Sequence, residues 1–203
     1  MTASLTEGQS DPTVQPVPAS VVERVDAADT TLQNPKRAVL SLGSNLGNRL
    51  ETLQGAVDAL EDTPGVRVKA VSPVYETQPW GVEPDSQPTY FNAVVVLRTT
   101  LPPPSLLERA HAVEEAFHRV RDEHWGPRTI DVDIVAYADM VSDDPELTLP
   151  HPRAHERAFV LAPWHDVEPD AQLPGVGPVA GLLAAVPQEG VAPRADLELQ
   201  LPD

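Results

Sequence analysis

The chain has 203 residues, no cysteine and a formal net charge of −17. Its length suits one domain with a real hydrophobic core, and the lack of cysteine excludes disulfides, thiolate metal sites and a cysteine nucleophile. The acidic balance argues against a nucleic-acid partner, because phosphate backbones attract basic surfaces. The chain has neither an apolar run as long as a membrane span nor the features of a signal peptide, so we expect a cytoplasmic protein without a membrane partner.

Both ends of the chain have the composition of disordered segments. Residues 1–36 are rich in Thr, Ser, Gln, Pro and Asp and show no sustained hydrophobic period, so we predict a disordered acidic extension there. Residues 188–203 carry four acids and one base and are predicted to form a disordered tail. The folded domain is therefore expected at residues 37–187.

The segment between these ends alternates strand and helix patterns. Strand, helix, strand, strand, helix and strand are predicted in turn at residues 37–42, 49–60, 66–75, 90–98, 105–117 and 130–137. Two further helices are predicted at residues 158–166 and 179–185. The order is that of the split βαβ arrangement, so we predict an α+β fold: a ferredoxin-like βαββαβ core with an antiparallel sheet and extra C-terminal helices.

The last predicted core strand begins with two carboxylates. Strict alternation would place Asp131 and Asp133 on one face together with Val135 and Tyr137. An isolated Asp-x-Asp pair is more often a solvated strand end than a metal site. However, two acids at the edge of a buried sheet repel each other, and Mg²⁺ is commonly held by one or two carboxylates plus substrate phosphates. Six arginines and no lysine lie between residues 109 and 157, which favours a phosphate-binding site.

Five motifs, in order along the chain, resemble the signature of the 6-hydroxymethyl-7,8-dihydropterin pyrophosphokinase family. They are Gly43-Ser-Asn-Leu-Gly-Asn, Tyr75-Glu-Thr-Gln-Pro-Trp-Gly, Tyr90-Phe-Asn-Ala, Arg119-x-Arg121 followed by Trp125-Gly-Pro-Arg-Thr-Ile-Asp-Val-Asp-Ile, and Leu149-Pro-His-Pro-Arg. The resemblance covers roughly residues 37–187. It implies an enzyme of folate biosynthesis that moves the terminal pyrophosphate of ATP onto the pterin hydroxymethyl group and leaves AMP. It also implies two Mg²⁺ ions and a ferredoxin-like fold.

The resemblance implies roles for individual residues on the ATP side. Asp131 and Asp133 match the metal ligands, and with Arg119 and Arg128 they match the catalytic residues. The positions that match ATP contacts are Glu114, Arg119, Arg121, Arg128, Ile134, Thr148, His151 and Arg157. Pyrophosphoryl transfer mostly requires charge neutralisation and in-line positioning, which such a set of charged groups can provide.

The resemblance also implies a pterin pocket. The matching positions are Gly43, Ser44, Thr77, Gln78, Trp80, Tyr90, Asn92, Trp125 and Phe159. A planar heterocycle is bound by aromatic stacking and by hydrogen bonds to its edge, and Asn92 is expected to read that edge. Four of the nine aromatic residues of the chain fall in this set, which supports the match.

Two other interpretations stay open at this point. A different metal-dependent transferase on the same fold, such as a nucleotidyltransferase, would share the aspartate pair but would not require Asn92 and Trp125. A non-catalytic ligand-binding module would not require the aspartate pair and the arginines together. The leading hypothesis is a cytoplasmic, monomeric pterin pyrophosphokinase.

Overall fold

The computed structural model describes residues 34–79, 87–117 and 129–202. Its elements, in chain order, are β1 (Lys36–Ser44), α1 (Arg49–Glu61), β2 (Val66–Val71), β3 (Tyr75–Thr77), β4 (Tyr90–Thr99), α2 (Pro103–Ala116), β5 (Asp131–Tyr137), α3 (Ala158–Val167), β6 (Gln172–Leu173), β7 (Gly177–Pro178), α4 (Val179–Ala185) and β8 (Val191–Pro193). A 3-10 turn, Ala154–Glu156, precedes α3. Within the described ranges, no helix has the length and apolar character needed to cross a membrane.

The main sheet has the ferredoxin-like strand order. β5, β1 and β4 are adjacent, β4 also pairs with β2 and with β3, and β8 pairs with the outer edge of β3. Each of these pairings is antiparallel. The predicted α+β fold, with its ferredoxin-like βαββαβ core and extra C-terminal helices, is therefore confirmed.

Helices cover both faces of the sheet, and all of them begin at the predicted residue except α2, which begins at Pro103, two residues before the predicted start. Asn48 caps α1 by accepting a hydrogen bond from the Glu51 N–H at 3.4 Å. Proline occupies the first turn of α2, where a missing N–H costs nothing. The buried faces of α1 and α2 form one core with one side of the sheet. The opposite side packs against α3 and α4 around the fully buried Trp164.

A β-bulge breaks the alternation predicted for the last core strand. Leu40 pairs with Ile134 and Val39 pairs with Ala136, so Val135 is an extra residue in β5. The two aspartates lie on the side of the sheet that α3 covers, opposite the buried side chains that alternate with them. Tyr137, in contrast, lies in the core of α1 and α2. The prediction that Tyr137 shares the face of the aspartates is therefore wrong, because one inserted residue reverses the alternation beyond it.

The single strand predicted at residues 66–75 is two strands, β2 and β3. Ser72 still bonds to β4 through its N–H, which donates to the Val94 carbonyl at 2.9 Å. The next residue is Pro73, which has no N–H to donate to the sheet. The chain therefore leaves β4 at this point and returns as β3.

The prediction of a disordered tail at residues 188–203 is wrong for the residues that the structure describes. β8 extends the sheet beyond β3, and Leu199 is only 8% exposed in the core of α1 and α2. The composition of the tail does not reveal this order, because its main-chain partners are supplied by the open edge of a distant strand. Residues 1–33 lie outside the described residues, so the disordered N-terminal extension stays a prediction.

Candidate active site

One row of residues crosses three adjacent strands on the α3 side of the sheet. Gly43 of β1 pairs with Asn92 of β4 on one side and with Asp131 of β5 on the other. Neighbouring strands lie about 4.8 Å apart, so two spacings separate Asn92 from Asp131 by about 10 Å. Ser41 and Asp133 form the next pair on the same face. The sheet therefore presents an amide and two carboxylates on one surface.

Gly43 provides the space in which the Asn92 amide lies. A Cβ atom at Gly43 would be 3.0 Å from the Asn92 Oδ1 and 3.8 Å from the Tyr90 Cδ1. The Asn92 side chain is buried, and its Nδ2 donates to the Thr77 Oγ1 at 2.6 Å. The hydrogen bond and the close approach fix the orientation of the amide before any ligand binds.

The short strand β3 is fixed against helix α3. Tyr75 pairs with Asn92 in the sheet, and its hydroxyl donates to the Asp166 Oδ2 at 2.7 Å. Burial and this hydrogen bond to a carboxylate raise the pKa of Tyr75. The phenol therefore stays protonated and keeps donating across the physiological pH range.

The other predicted pterin residues lie on several elements. Thr77 pairs with the half-buried Tyr90, so both lie beside Asn92. Ser44 is fully buried, with no partner for its Oγ among the described residues, and the Gln78 N–H donates to the Gly190 carbonyl. Phe159 lies in the first turn of α3, half-buried against the core of that side. Trp80 and Trp125 lie outside the described residues.

Asp133 lies beside two nitrogen-bearing side chains. Its Oδ2 is 3.5 Å from the Arg157 Nη1 and 3.8 Å from the His151 Nε2. The Arg157 side chain is 14% exposed and that of Asp133 38% exposed. Arg157 occupies the N-cap position of α3 without a side-chain capping bond, and its guanidinium instead lies at the carboxylate. The carboxylate end of the row therefore also carries positive charge.

His151 is held as a neutral hydrogen-bond donor. Its backbone N–H donates to the carbonyl of the bulged Val135 at 2.9 Å, and its ring Nδ1 accepts from the backbone N–H of Arg153 at 3.1 Å. Burial and the nearby Arg157 guanidinium lower the pKa of His151 to about 4. A neutral ring that accepts at Nδ1 carries its proton on Nε2, which lies 3.8 Å from the Asp133 Oδ2 and 3.5 Å from the Arg157 Nη1.

Three further predicted ATP-side residues lie around β5. Glu114 is 2% exposed on α2, and its Oε1 accepts from the Val132 N–H at 2.9 Å, so it holds the strand between the two aspartates. The Ile134 side chain belongs to the core of α1 and α2, which leaves only its backbone for a ligand. The Thr148 Oγ1 donates to the Asp144 carbonyl at 3.1 Å. Arg119, Arg121 and Arg128 lie outside the described residues.

The aspartate pair has the chemistry of a site for a hard divalent cation. An ionised carboxylate can accept hydrogen bonds but cannot donate them, and here two carboxylates lie two residues apart on one face. Within the described ranges, no group of three or more His, Cys, Asp and Glu side chains is placed to hold a metal ion. The protein would therefore supply few ligands, as is usual for Mg²⁺, which keeps waters and substrate phosphates in its shell.

A polar cluster beside the predicted pterin residues is not evident from the sequence. Glu76 accepts hydrogen bonds from Thr89 and Arg194 at 2.7 Å, and Arg49 donates to the Thr89 carbonyl at 2.7 Å. The Arg49 guanidinium lies 3.6 Å from the centroid of the Phe91 ring. The motif at Tyr75 includes Glu76 but carries no signal of its partners, because Arg49 and Arg194 are distant in sequence.

Known proteins that this chain resembles belong to one enzyme family. The family model described as 7,8-dihydro-6-hydroxymethylpterin-pyrophosphokinase (HPPK) matches residues 39–169. The 2-amino-4-hydroxy-6-hydroxymethyldihydropteridine pyrophosphokinase of Pseudomonas aeruginosa is 44% identical over 156 residues, which cover 77% of this chain and 95% of that protein. The enzyme of the same name from Methylorubrum extorquens is 46% identical, over 68% of this chain and 87% of that protein. The enzyme of the same name from Mycobacterium tuberculosis is 44% identical, over 73% of this chain and 82% of that protein.

A solved structure of wild-type Plasmodium falciparum HPPK-DHPS with pteroate has the same fold. It superposes with a TM-score of 0.58 at 15% sequence identity over 75% of this chain, which spans 42% of that longer one. At this identity the likeness concerns the fold alone, and membership rests on the family model and the closer relatives. The chain therefore belongs to the 7,8-dihydro-6-hydroxymethylpterin-pyrophosphokinase family, whose members transfer pyrophosphate to hydroxymethyldihydropterin in folate biosynthesis.

Proposed function

We propose that this chain takes the pyrophosphate from ATP, releases AMP, and depends on Mg²⁺ held by Asp131 and Asp133. The observation that carries the proposal is the row Asn92, Gly43 and Asp131, which joins an oriented amide to a carboxylate pair on one face of the sheet. In this proposal the pterin edge binds at Asn92, and its hydroxymethyl group is directed along the row toward the carboxylates.

The pterin end combines one fixed amide with aromatic surface. Asn92 is oriented by Thr77, so it can bond to the amide-like edge of the ring without paying to order its own side chain. Tyr90, Trp125 and Phe159 supply the stacking surface in this proposal. The rim is assigned to Gly43, Ser44, Gln78 and Trp80.

The phosphate end combines a guanidinium with a neutral donor. Arg157 offers charge-assisted hydrogen bonds to phosphate oxygens, and the His151 Nε2–H adds a donor whose neutrality persists above the lowered pKa of the ring. Arg119, Arg121 and Arg128 are proposed to complete the neutralisation of the triphosphate, with Glu114, Ile134 and Thr148 as further ATP-side positions. Such preorganised charge contributes most where it meets charge that develops in the transition state.

The transfer is an in-line displacement at the β-phosphorus of ATP. The hydroxymethyl oxygen forms a bond to that phosphorus, the bond from phosphorus to the oxygen of the α-phosphate breaks, and the hydroxyl proton is released. Two Mg²⁺ ions, when bound, supply charge neutralisation on the phosphates and polarise the attacking hydroxyl. The residues of the chain position the two reactants and keep their reacting atoms aligned.

Product analysis tests this proposal. The protein is incubated with ATP, Mg²⁺ and hydroxymethyldihydropterin, and the nucleotides and pterins are separated. We expect equal amounts of AMP and pterin diphosphate, no AMP when the pterin is omitted, and no product in excess EDTA. ADP as product would contradict pyrophosphoryl transfer. Free pyrophosphate would instead indicate a nucleotidyltransferase, and undiminished turnover in EDTA would contradict the metal requirement.

Three properties of the protein stay predictions from its sequence: a cytoplasmic location, a monomeric state, and the lack of nucleic-acid or membrane partners. Light scattering on the purified protein measures the molar mass and checks the monomer directly.

A further inference from the structure

The C-terminal segment, residues 188–202, lies beyond the part of the chain that the family model matches. Its strand β8 pairs with all of β3: Tyr75 with Pro193, Glu76 with Ala192 and Thr77 with Val191. The pairing continues at both ends, because the Gln78 N–H donates to the Gly190 carbonyl at 3.1 Å and the Arg194 N–H donates to the Val74 carbonyl at 2.8 Å. The segment therefore occupies the outer edge of β3 over its whole length.

Arg194 adds a side-chain bond to this pairing. Its Nη1 donates to the Glu76 Oε2 at 2.7 Å, and its guanidinium lies 5.4 Å from the centroid of the Phe91 ring. Asp196 holds the other side of the guanidinium through hydrogen bonds of 2.9 and 2.7 Å. The guanidinium is thereby fixed in one orientation on the central residue of β3.

Glu76 also bonds to Thr89, the residue that precedes β4. The Thr89 hydroxyl donates to the Glu76 Oε1 at 2.7 Å, and the Arg49 Nη1 is 3.5 Å from the same oxygen. The bonds from Thr89 and Arg194 lower the pKa of Glu76, so the carboxylate is ionised at neutral pH. The bond between Glu76 and Thr89 therefore joins the residue before Thr77 to the residue before Tyr90, and both Thr77 and Tyr90 are proposed pterin residues.

Because β3 is short, its pairing with β8 affects the position of the pterin residues that it carries. A strand of three residues that paired on one side only would be weakly held. Thr77 lies at the end of this strand, and its Oγ1 orients the Asn92 amide through a bond of 2.6 Å. A displacement of β3 by a fraction of an ångström would misdirect that amide, and binding is sensitive to errors of this size.

We propose that the C-terminal segment positions the pterin pocket, with Arg194 as a positioning residue that sets the affinity for the pterin. The inference rests on the pterin-binding role proposed above for Asn92 and Thr77. We expect the segment to act on the pterin end of the row, because the pairing of β8 and the bond of Arg194 are both made to β3, the strand that carries Thr77.

Steady-state kinetics of matched variants test the inference. In Arg194→Ala we expect the pterin KM to rise about three- to fivefold, the effect of losing a half-exposed charge pair with a cation–π contact. The ATP KM and kcat should stay within about twofold of wild type, and Arg194→Lys should recover part of the loss. Arg67→Ala is the matched control, because it removes an Arg67–Glu61 pair between β2 and α1, away from β3. Its pterin KM should equal that of wild type.

A purely structural role would give a different pattern. In that case Arg194→Ala would lower the melting temperature and leave the pterin KM unchanged, and that result would overturn the inference. Deletion of residues 188–203 provides a second measurement, since the Gln78 amide should then lose its protection from hydrogen exchange. A folded deletion variant with wild-type pterin KM would also overturn it.

The experiments distinguish a failure of the proposed function from a failure of the positioning role. If the wild type forms no pterin-dependent AMP, the proposed reaction is wrong, and calorimetric titration with the pterin is then used on the same variants. A pterin Kd about three- to fivefold weaker in Arg194→Ala than in Arg67→Ala would still support the positioning role. Equal Kd values would contradict it.

Discussion

Replacement of Gly43 by alanine tests the geometry of the row most locally. Gly43 pairs with Asn92 and with Asp131, so its α-carbon lies between the proposed pterin and metal ends. A new Cβ would lie 3.0 Å from the Asn92 Oδ1, whereas ordinary contacts begin near 3.4 Å. The amide would have to move by about 0.4 Å or rotate, because the backbone of β1 is held by strands on both sides.

The expected magnitude follows from the hydrogen bond that the displaced amide makes. Asn92 is 4% exposed and donates to Thr77 at 2.6 Å, so a shift away from Gly43 strains or breaks a buried bond. Leaving a buried polar group without its partner costs about 1–3 kcal/mol. Alanine in a strand interior recovers about 0.5–1 kcal/mol relative to glycine. The free energy of unfolding should therefore fall by about 2.5 kcal/mol or less, whereas pterin binding, which needs the oriented amide, should weaken about tenfold or more.

Calorimetric titration with the pterin and urea denaturation measure the two quantities separately. Gly181→Ala is the matched control, because Gly181 lies within α4 and a Cβ there would have no atom within 4 Å. We expect the control to bind the pterin like wild type and to be slightly more stable. Wild-type pterin affinity in Gly43→Ala would refute the argument that the close approach of Gly43 orients Asn92.

Two further predictions concern the strand that carries the aspartates. His151 has an ordinary pKa of 6.5 and a folded pKa of about 4, so the unfolded chain takes up the proton first as the pH falls. In EDTA, the free energy of unfolding should thus have its full value above pH 6.5 and fall by up to about 3 kcal/mol toward pH 4. The His151→Gln variant should lose stability less steeply over this pH range. Parallel curves for the two proteins would disprove the prediction. In Glu114→Ala the Val132 N–H loses its buried acceptor, and urea denaturation should show a loss of about 1–3 kcal/mol. The exposed neighbour provides the control: Glu115→Ala should change stability little, and equal losses in both variants would contradict the role of Glu114.

The order of elements could be predicted from the sequence because each element has a local signal. The helical spacing of α1, the cap at Asn48 and the alternation of β2 all lie within short windows. These windows were enough to identify the ferredoxin-like core. The motifs added the family, because they combine residue types with spacing over most of the domain.

Features that depend on distant partners could not be predicted in this way. The bulge at Val135 depends on the register with Val39 and Leu40, which local alternation does not encode. The C-terminal segment is polar and contains proline, and it is ordered because β3 offers it an open edge and Leu199 packs into the core. Likewise, the row from Asn92 through Gly43 to Asp131 is a property of strand pairing and becomes visible only in the sheet.

Metal binding tests the assignment of Mg²⁺ to Asp131 and Asp133. Mn²⁺ can replace Mg²⁺ in such oxygen-ligand sites and is counted by electron paramagnetic resonance in the presence of a non-hydrolysable ATP analogue. We expect about two Mn²⁺ ions per wild-type chain and clearly fewer in Asp133→Asn. Asp143→Asn, which changes an exposed acid outside the row, should bind like wild type. If Asp133→Asn binds as many ions as wild type with equal affinity, the assignment of the metal site to the aspartate pair is wrong.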